Sequence, residues 1–268
     1  MICRAEGLVL RSYRMSGSSK VVVVFTKEGG KLKFAAKGAR RPKSKFGASL
    51  EPITWGVYDY FRREGRELQS LVEADILNPF AGIKAEYRRL VYASVICDLL
   101  NGATTDEDRN SALLNSAVVC LLWLETVLLE AVELPLWAFQ LKAVASLGYR
   151  IHLSDCVKCG GALPGNLVCF SPEQGGTVCA KCATGELKLK RSTIDFLQNL
   201  ERCRPEEIDT SKFNAVEHPR VRRALRTFLT YYVEGGYRAK SFEFLDRMLV
   251  AESMESAYRT GKTQEGVS

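Results

Sequence analysis

The sequence predicts an α+β protein: a small five-stranded β-barrel over residues 1–79, then an α-helical domain interrupted by a four-cysteine, zinc-ribbon-like insert. Three observations predict it. Short β-branched runs separated by glycine and polar turns crowd into the N-terminal part. Apolar residues recur at three-to-four spacing from about Lys84 onward. Two C-x-x-C pairs, Cys156/Cys159 and Cys179/Cys182, stand 19 residues apart.

At 268 residues the chain suits two domains better than one, since a single core serves roughly 100 to 200 residues. With 46% hydrophobic and 26% charged residues it is ordinary globular material, which excludes a disordered or fibrous protein. Met1 to Gly7 carries early charge and no apolar stretch ending in a cleavage site, so we expect a cytoplasmic protein. The greasiest stretch, Ala112–Leu124, meets Glu125, Glu130 and Glu133 before it reaches the roughly 20 residues of a bilayer span, and reads as a buried helix.

The strands are expected at Gly7–Arg11, Lys20–Thr26, Leu32–Lys37, Ile53–Phe61 and Leu68–Leu77, with Lys27-Glu28-Gly29-Gly30 turning a hairpin between the second and third. Five strands in under 80 residues fit a small barrel, and the OB-fold is the frequent nucleic-acid binder among these. Pro79 closes the region. A first helix begins near Lys84 and stops at Gly102. A second follows a cap at Thr104-Thr105-Asp106 and carries the apolar stretch Leu113–Val132. Pro135 opens a third that Gly148 ends, Ser192 caps a fourth, and Pro219 and Ser241 start a fifth and sixth. The helical domain spans 80–255 with its insert at 152–185, and residues 256–268 turn polar, as a flexible tail does.

Charge is unevenly placed. Residues 1–80 hold 15 Lys or Arg against 8 Asp or Glu, and residues 81–268 hold 23 against 23, so the whole formal +7 lies in the first domain. Lys31, Lys33, Lys37, Arg40, Arg41, Lys43 and Lys45 fall within one stretch without an acidic residue. On an extended strand Lys31, Lys33 and Lys37 share a face opposite Leu32, Phe34 and Ala36. Gly38 and Pro42 bracket Arg40 and Arg41 in a loop that lets guanidinium groups approach a polyanion. Against a merely solubilising surface, we read this as a phosphate-binding footprint. Tyr58, Tyr60 and Arg62 alternate onto one face; stacking on unpaired bases and filling the barrel are both open readings. Arg220, Arg222, Arg223 and Arg226 read first as a solvated helix face, and second as an extension of the path.

Nine cysteines in a reducing compartment stay thiols. Cys3, Cys97, Cys120 and Cys203 stand singly among apolar or helical residues and read as packing; Cys169, between the knuckles beside Phe170, reads first as a core thiol and second as a fifth ligand. Each C-x-x-C knuckle turns two thiolates toward one point, so Cys156, Cys159, Cys179 and Cys182 complete a tetrahedron with no open position. The site is structural Zn2+ in this reading, with iron chemically permitted in the same cage. A redox C-x-x-C is disfavoured by the two facing copies, and a zinc deaminase by the missing H-x-E. With His152 and His218 the only histidines and no nucleophile motif beside them, no triad is legible. Gly261-Lys262-Thr263 lacks the upstream glycine and strand of a phosphate loop. We expect no enzyme.

Several segments resemble the RecO family of bacterial recombination mediators and DNA-repair proteins: Gly7-Leu8-Val9-Leu10-Arg11, Thr26 to Lys31, Ala36 to Ser44, Phe170-Ser171 leading to Gly175-Gly176 and the second knuckle, and Lys240 to Leu245. Gly17-Ser18 stands where the family often has Gly-Glu, and Cys169 is extra to its pattern. The resemblance covers nearly the whole chain. It implies an N-terminal OB-fold, a helical domain with a zinc-binding insert, and binding to ssDNA and dsDNA. It further implies annealing of complementary strands and, with RecR, help in loading RecA onto DNA coated by single-strand-binding protein. The rival from another class is an adaptor in which helices and ribbon recruit proteins and DNA contact is incidental; a metal-dependent nuclease has little support.

Overall fold

The structure is a computed structural model that describes residues 1–185, 187–212, 215–233 and 240–265. Five strands, β1 (Ile2–Arg14), β2 (Lys20–Thr26), β3 (Gly30–Ala36), β4 (Trp55–Phe61) and β5 (Leu68–Asn78), close into a barrel in the order β1-β2-β3-β5-β4. All pairings are antiparallel except β3 with β5, where Lys33–Ala35 run parallel to Leu68–Ser70. This is the expected OB-fold. Ala5, Val9, Val22, Val24, Phe34, Tyr58 and Tyr60 fill its interior. The connection from β3 to β4 turns back through a short 3-10 segment, Gly47–Leu50; its Leu50 and the preceding Phe46 plug the barrel, and the Tyr58 hydroxyl donates to the Ser49 carbonyl at 3.3 Å.

The run Leu8-Val9-Leu10 and the run Val22 to Phe25 do not alternate apolar with polar, and the structure gives the reason. Val9, Val22 and Val24 point into the barrel, while Leu8, Leu10, Val23 and Phe25 on the opposite face join the core of the helical region. One wall therefore serves two cores.

The helices are α1 (Ala81–Ala85), α2 (Tyr87–Ala103), α3 (Ser111–Thr126), α4 (Leu134–Ser146), α5 (Arg191–Arg202), α6 (His218–Tyr232) and α7 (Lys240–Glu265). Three small strands, β6 (Leu167–Ser171), β7 (Gly176–Val178) and β8 (Leu187–Lys190), form a sheet of order β7-β6-β8 beside the cysteine knuckles. No described helix is long and apolar enough to cross a membrane.

Several boundaries differ from those the sequence predicts. The first helix is two, because the Glu86 side chain accepts from Arg89 N at 2.8 Å and caps α2 afresh. Thr104 to Asp106 does not cap α3; Asn110 does, accepting from Leu113 N at 2.9 Å. The earlier segment is drawn off by the barrel, with Glu107 N donating to the Lys31 carbonyl at 3.2 Å. The apolar stretch to Val132 leaves α3 at Thr126 and continues as a 3-10 turn at Leu129–Ala131. Ser192 lies inside the first turn of α5 rather than before it. Helix α7 continues through the segment expected as a tail up to Glu265, with no proline to interrupt it. Residues 266–268 of that segment lie outside the described residues.

The barrel meets the helical region through polar contacts as well. Arg11 pairs with Asp98 at 2.8 Å, and Lys84 Nζ donates to Thr54 Oγ1 at 2.9 Å. Gly30 adopts a φ of 65° and presses on the backbone of Asp108 so closely that a Cβ would run into it. Gly30→Ala is therefore expected to lower stability by about 1–3 kcal/mol, from left-handed backbone strain plus the displaced junction. Urea unfolding of both proteins, read as a drop in midpoint with an unchanged slope, checks it.

Candidate nucleic-acid interface and metal centre

Strand β3 alternates as expected: Leu32, Phe34 and Ala36 point inward, and Lys31 and Lys33 outward. Outward, however, is toward the helical region. Lys31 Nζ donates to the carbonyls of Asn101 (2.9 Å) and Thr104 (2.6 Å) at the C-terminal end of α2, where helix carbonyls lack intrahelical donors. Its side chain is only 12% exposed, and burial pulls its ammonium below the usual lysine range against the pull of Asp106. Lys33 is gripped by Glu67 and by Asp106, the latter at 2.9 Å, and these hydrogen bonds raise its pKa. Burial alone would push the Asp106 carboxyl up, but Lys33 outweighs it and holds the group below its ordinary value. Lys31 and Lys33 thus act as struts, with carboxylates already taking the place a phosphate would occupy.

The other five cations behave differently. Lys37, Arg40, Arg41, Lys43 and Lys45 are all exposed, and none has a carboxylate partner among the described residues. Their loop is nonetheless held in shape. Arg40 N donates to the Ser18 carbonyl at 2.9 Å and Arg40 Nη1 to the Gly17 carbonyl at 3.1 Å, tying the loop to the β1–β2 turn. Gly38, at φ 71°, accepts from Arg41 N at 3.0 Å, and Arg41 accepts from Ser44 N at 3.0 Å. Phe46 anchors the far end in the barrel beneath the Lys45 ammonium, 5.4 Å from the ring centre. The sequence reading missed Arg14. It is exposed, and the register places it beside this loop: Arg14 pairs with Lys20, and Lys20 with Ala36, the residue before Lys37. Only strand pairing reveals that proximity.

The aromatic face on β4 resolves in favour of packing. Tyr58 and Tyr60 are buried against Phe34, with ring centres 5.9 and 5.0 Å from it, so neither ring offers a face to a base. Arg62 turns to Glu107 at 3.7 Å. The arginines of α6 divide: Arg220, Arg222 and Arg226 pair with Glu217, Glu133 and Asp246, whereas Arg223 is exposed without a carboxylate partner among the described residues.

The sulfur atoms of Cys156, Cys159, Cys179 and Cys182 all lie within 4.8 Å of one another, and those of Cys159 and Cys179 are 3.8 Å apart. Four sulfurs about 2.3 Å from a central ion would have such spacings, so the residues fit a tetrahedral metal. Each knuckle is a hydrogen-bonded turn: Gly160 N donates to the Cys156 carbonyl at 2.8 Å and Cys182 N to the Cys179 carbonyl at 3.0 Å. Val157 N donates to the Thr177 carbonyl at 3.0 Å, which joins the first knuckle to β7. Backbone N–H groups, that of Cys179 foremost, draw the Cys156 thiol down to about 6, while the neighbouring thiols push Cys182 up to about 12. A divalent cation at the centre relieves that mutual repulsion. Cys169 lies on β6 and packs against the helical core, outside the cluster. Cys97 and Cys120 are buried core thiols, both pushed up to about 12 by burial.

His152 Nε2 lies 2.7 Å from Asp155 and 3.4 Å from Ser154 Oγ. Both neighbours meet the same ring nitrogen, whereas a triad needs the acid and the nucleophile on opposite nitrogens. His218 sits between Glu133 and Trp137.

Fold and sites together define a class first: an OB-fold protein with a cationic loop and a four-thiol metal-binding cluster. Residues 1–80 match the family described as Recombination protein O N terminal and residues 84–241 the one described as Recombination protein O C terminal, so the chain belongs to the RecO family of DNA-repair proteins. Among its relatives, the DNA repair protein RecO of Desulforamulus reducens is 28% identical over 92% of this chain and 95% of its own. That of Pelotomaculum thermopropionicum is 30% identical over 91% and 93%, and that of an Anaeromyxobacter species 32% identical over 91% and 96%.

Lys31→Ala should cost about 1–3 kcal/mol by removing charged hydrogen bonds from the end of α2. The same variant should leave the salt dependence of DNA binding as it was; denaturant unfolding and affinity titrations over a salt series check the pair. Cys179→Ser should reduce bound metal from about one per chain to near none, while Cys169→Ser keeps it, as read by elemental analysis of the purified proteins.

Proposed function

We propose that residues 1–79 grip the DNA backbone and that residues 80–255, with the insert at 152–185, form the scaffold that carries this grip. The observation behind the reading is the loop of Lys37, Arg40, Arg41, Lys43 and Lys45: five exposed cations on a tethered backbone, with no carboxylate claiming them among the described residues. Neutralising phosphates there releases condensed counterions and lets two like-charged strands approach, while base pairing between the strands supplies the sequence recognition. Such a surface suits both ssDNA and dsDNA and favours annealing of complementary strands. Nothing in this mechanism requires a bond to be made or broken by the protein, so we take it to be a mediator and not an enzyme. Handing DNA coated with single-strand-binding protein to RecA, together with RecR, is the cellular role this activity fits.

The metal we assign to the cluster is Zn2+, on the softness of four thiolates and the closed tetrahedron they make. Its work is structural: it pins the knuckles Cys156/Cys159 and Cys179/Cys182 together at the edge of a module whose Leu153, Val168, Phe170 and Val178 join the helical core.

Replacing Lys37, Arg40 and Arg41 by Ala is expected to weaken binding to unrelated DNA sequences about equally. The slope of log affinity against log salt should fall by about 0.7 per lost single-strand contact. Fluorescence anisotropy over a salt series measures both, and annealing of labelled complementary oligonucleotides, with and without single-strand-binding protein, should slow in parallel. An unchanged slope would remove the loop from the contact surface; no complex at micromolar protein would favour an adaptor.

A further inference from the structure

Between the metal module and α6 lies a cavity of about 350 Å³ that neither site above uses. One wall is a face of α6, along which Arg223, Thr227 and Tyr231 recur at four-residue spacing. The other wall is the metal module: Lys158 from the first knuckle and Glu173 from the turn between β6 and β7, with Phe170 and Leu187 supplying apolar lining.

Charge is separated along this space. Arg223 and Tyr231 are eight residues apart on the helix, about 12 Å along its axis. At one end the Tyr231 hydroxyl donates to the Glu173 carboxylate, and the Tyr232 hydroxyl donates to the Glu173 carbonyl at 3.1 Å. At the other end the Arg223 guanidinium has no carboxylate partner among the described residues, although Arg220, Arg222 and Arg226 around it all do. Lys158 Nζ donates to the Cys182 carbonyl at 3.1 Å, which steadies the side chain and leaves its remaining N–H donors for a ligand.

We propose that this cavity binds a nucleotide, its phosphate at Arg223 and Lys158 and the edge of its base toward the Glu173–Tyr231 pair. A ligand anionic at one end and offering N–H donors at the other matches the two ends of the site. An acidic peptide does not, because it carries charge along its length and would set carboxylates against Glu173. The nucleotide is either free or one unit of a strand; only in the second case does the inference build on the DNA-binding reading above. Because Lys158 lies inside a knuckle and Thr184 lies just past the other, the cavity also depends on the metal cluster.

The test uses the full chain and three probes: thymidine 5′-monophosphate, a twelve-residue oligothymidine carrying 4-thiothymidine, and a fluorescent acidic peptide. Arg223→Ala should weaken the phosphate-bearing probes about tenfold, the loss expected for a charged hydrogen bond, and Arg223→Lys should recover part of it. Unchanged thermal melting would confirm that the variants fold. Cross-linked oligonucleotide should map by mass spectrometry to peptides containing Glu173 or Tyr231, and chelating the metal should abolish the cross-link. Binding of the monophosphate identifies a free nucleotide; cross-linking without it identifies a strand. Unaltered nucleotide affinity in Arg223→Ala, or peptide binding that alone depends on Arg223, overturns the proposal. Loss of the cavity cross-link with intact loop-dependent salt slope sinks this inference alone, and the reverse result sinks the loop alone.

Discussion

The double-sided burial of β1 and β2 is the constraint on which the rest of the molecule depends. Val9, Val22 and Val24 close the barrel while Leu8, Leu10, Val23 and Phe25 on the same strands complete the helical core. Burying each of these side chains contributes on the order of 1.5–3 kcal/mol, so two hydrophobic cores are secured through one sheet wall. The polar seam around it, from Arg11–Asp98 to Lys31 on the end of α2, then fixes the orientation that the apolar contacts leave loose.

That seam also explains how the positive charge of the first domain is distributed. An extended strand aims Lys31 and Lys33 to one side, and this was legible in the sequence; Lys37, expected on the same face, lies past the end of β3 in the turn. What lies on that side was not legible. Asp106 is more than seventy residues from Lys33 along the chain, and only the docking of the barrel onto α2 brings it there. Period-two patterning specifies a direction without specifying a neighbour. The loop cations escape this fate because their segment leaves the strand after Ala36, is tied to the β1–β2 turn through Arg40, and returns to the barrel at Phe46.

Elsewhere legibility followed the range of the interactions. The four thiols were readable because both knuckles are local turns and their chemistry demands a common centre. The five strands were readable from β-branched runs and glycine turns, with β2 placed to the residue. Helix starts were less so. Thr104 to Asp106 has good capping chemistry, but tertiary pairing with Lys31 claimed it and Asn110 capped the helix instead. Tyr58 and Tyr60 were ambiguous for a related reason: a barrel needs large rings as much as a base does, and inward or outward depends on register.

The shared wall has a mechanical consequence. A barrel on a flexible linker could swivel independently of whatever holds the helices, but here a hinge would have to tear Leu8, Leu10, Val23 and Phe25 out of a common interior. Barrel and helices are thus clamped through one shared interior, and parting them would expose all four of these side chains to water at once.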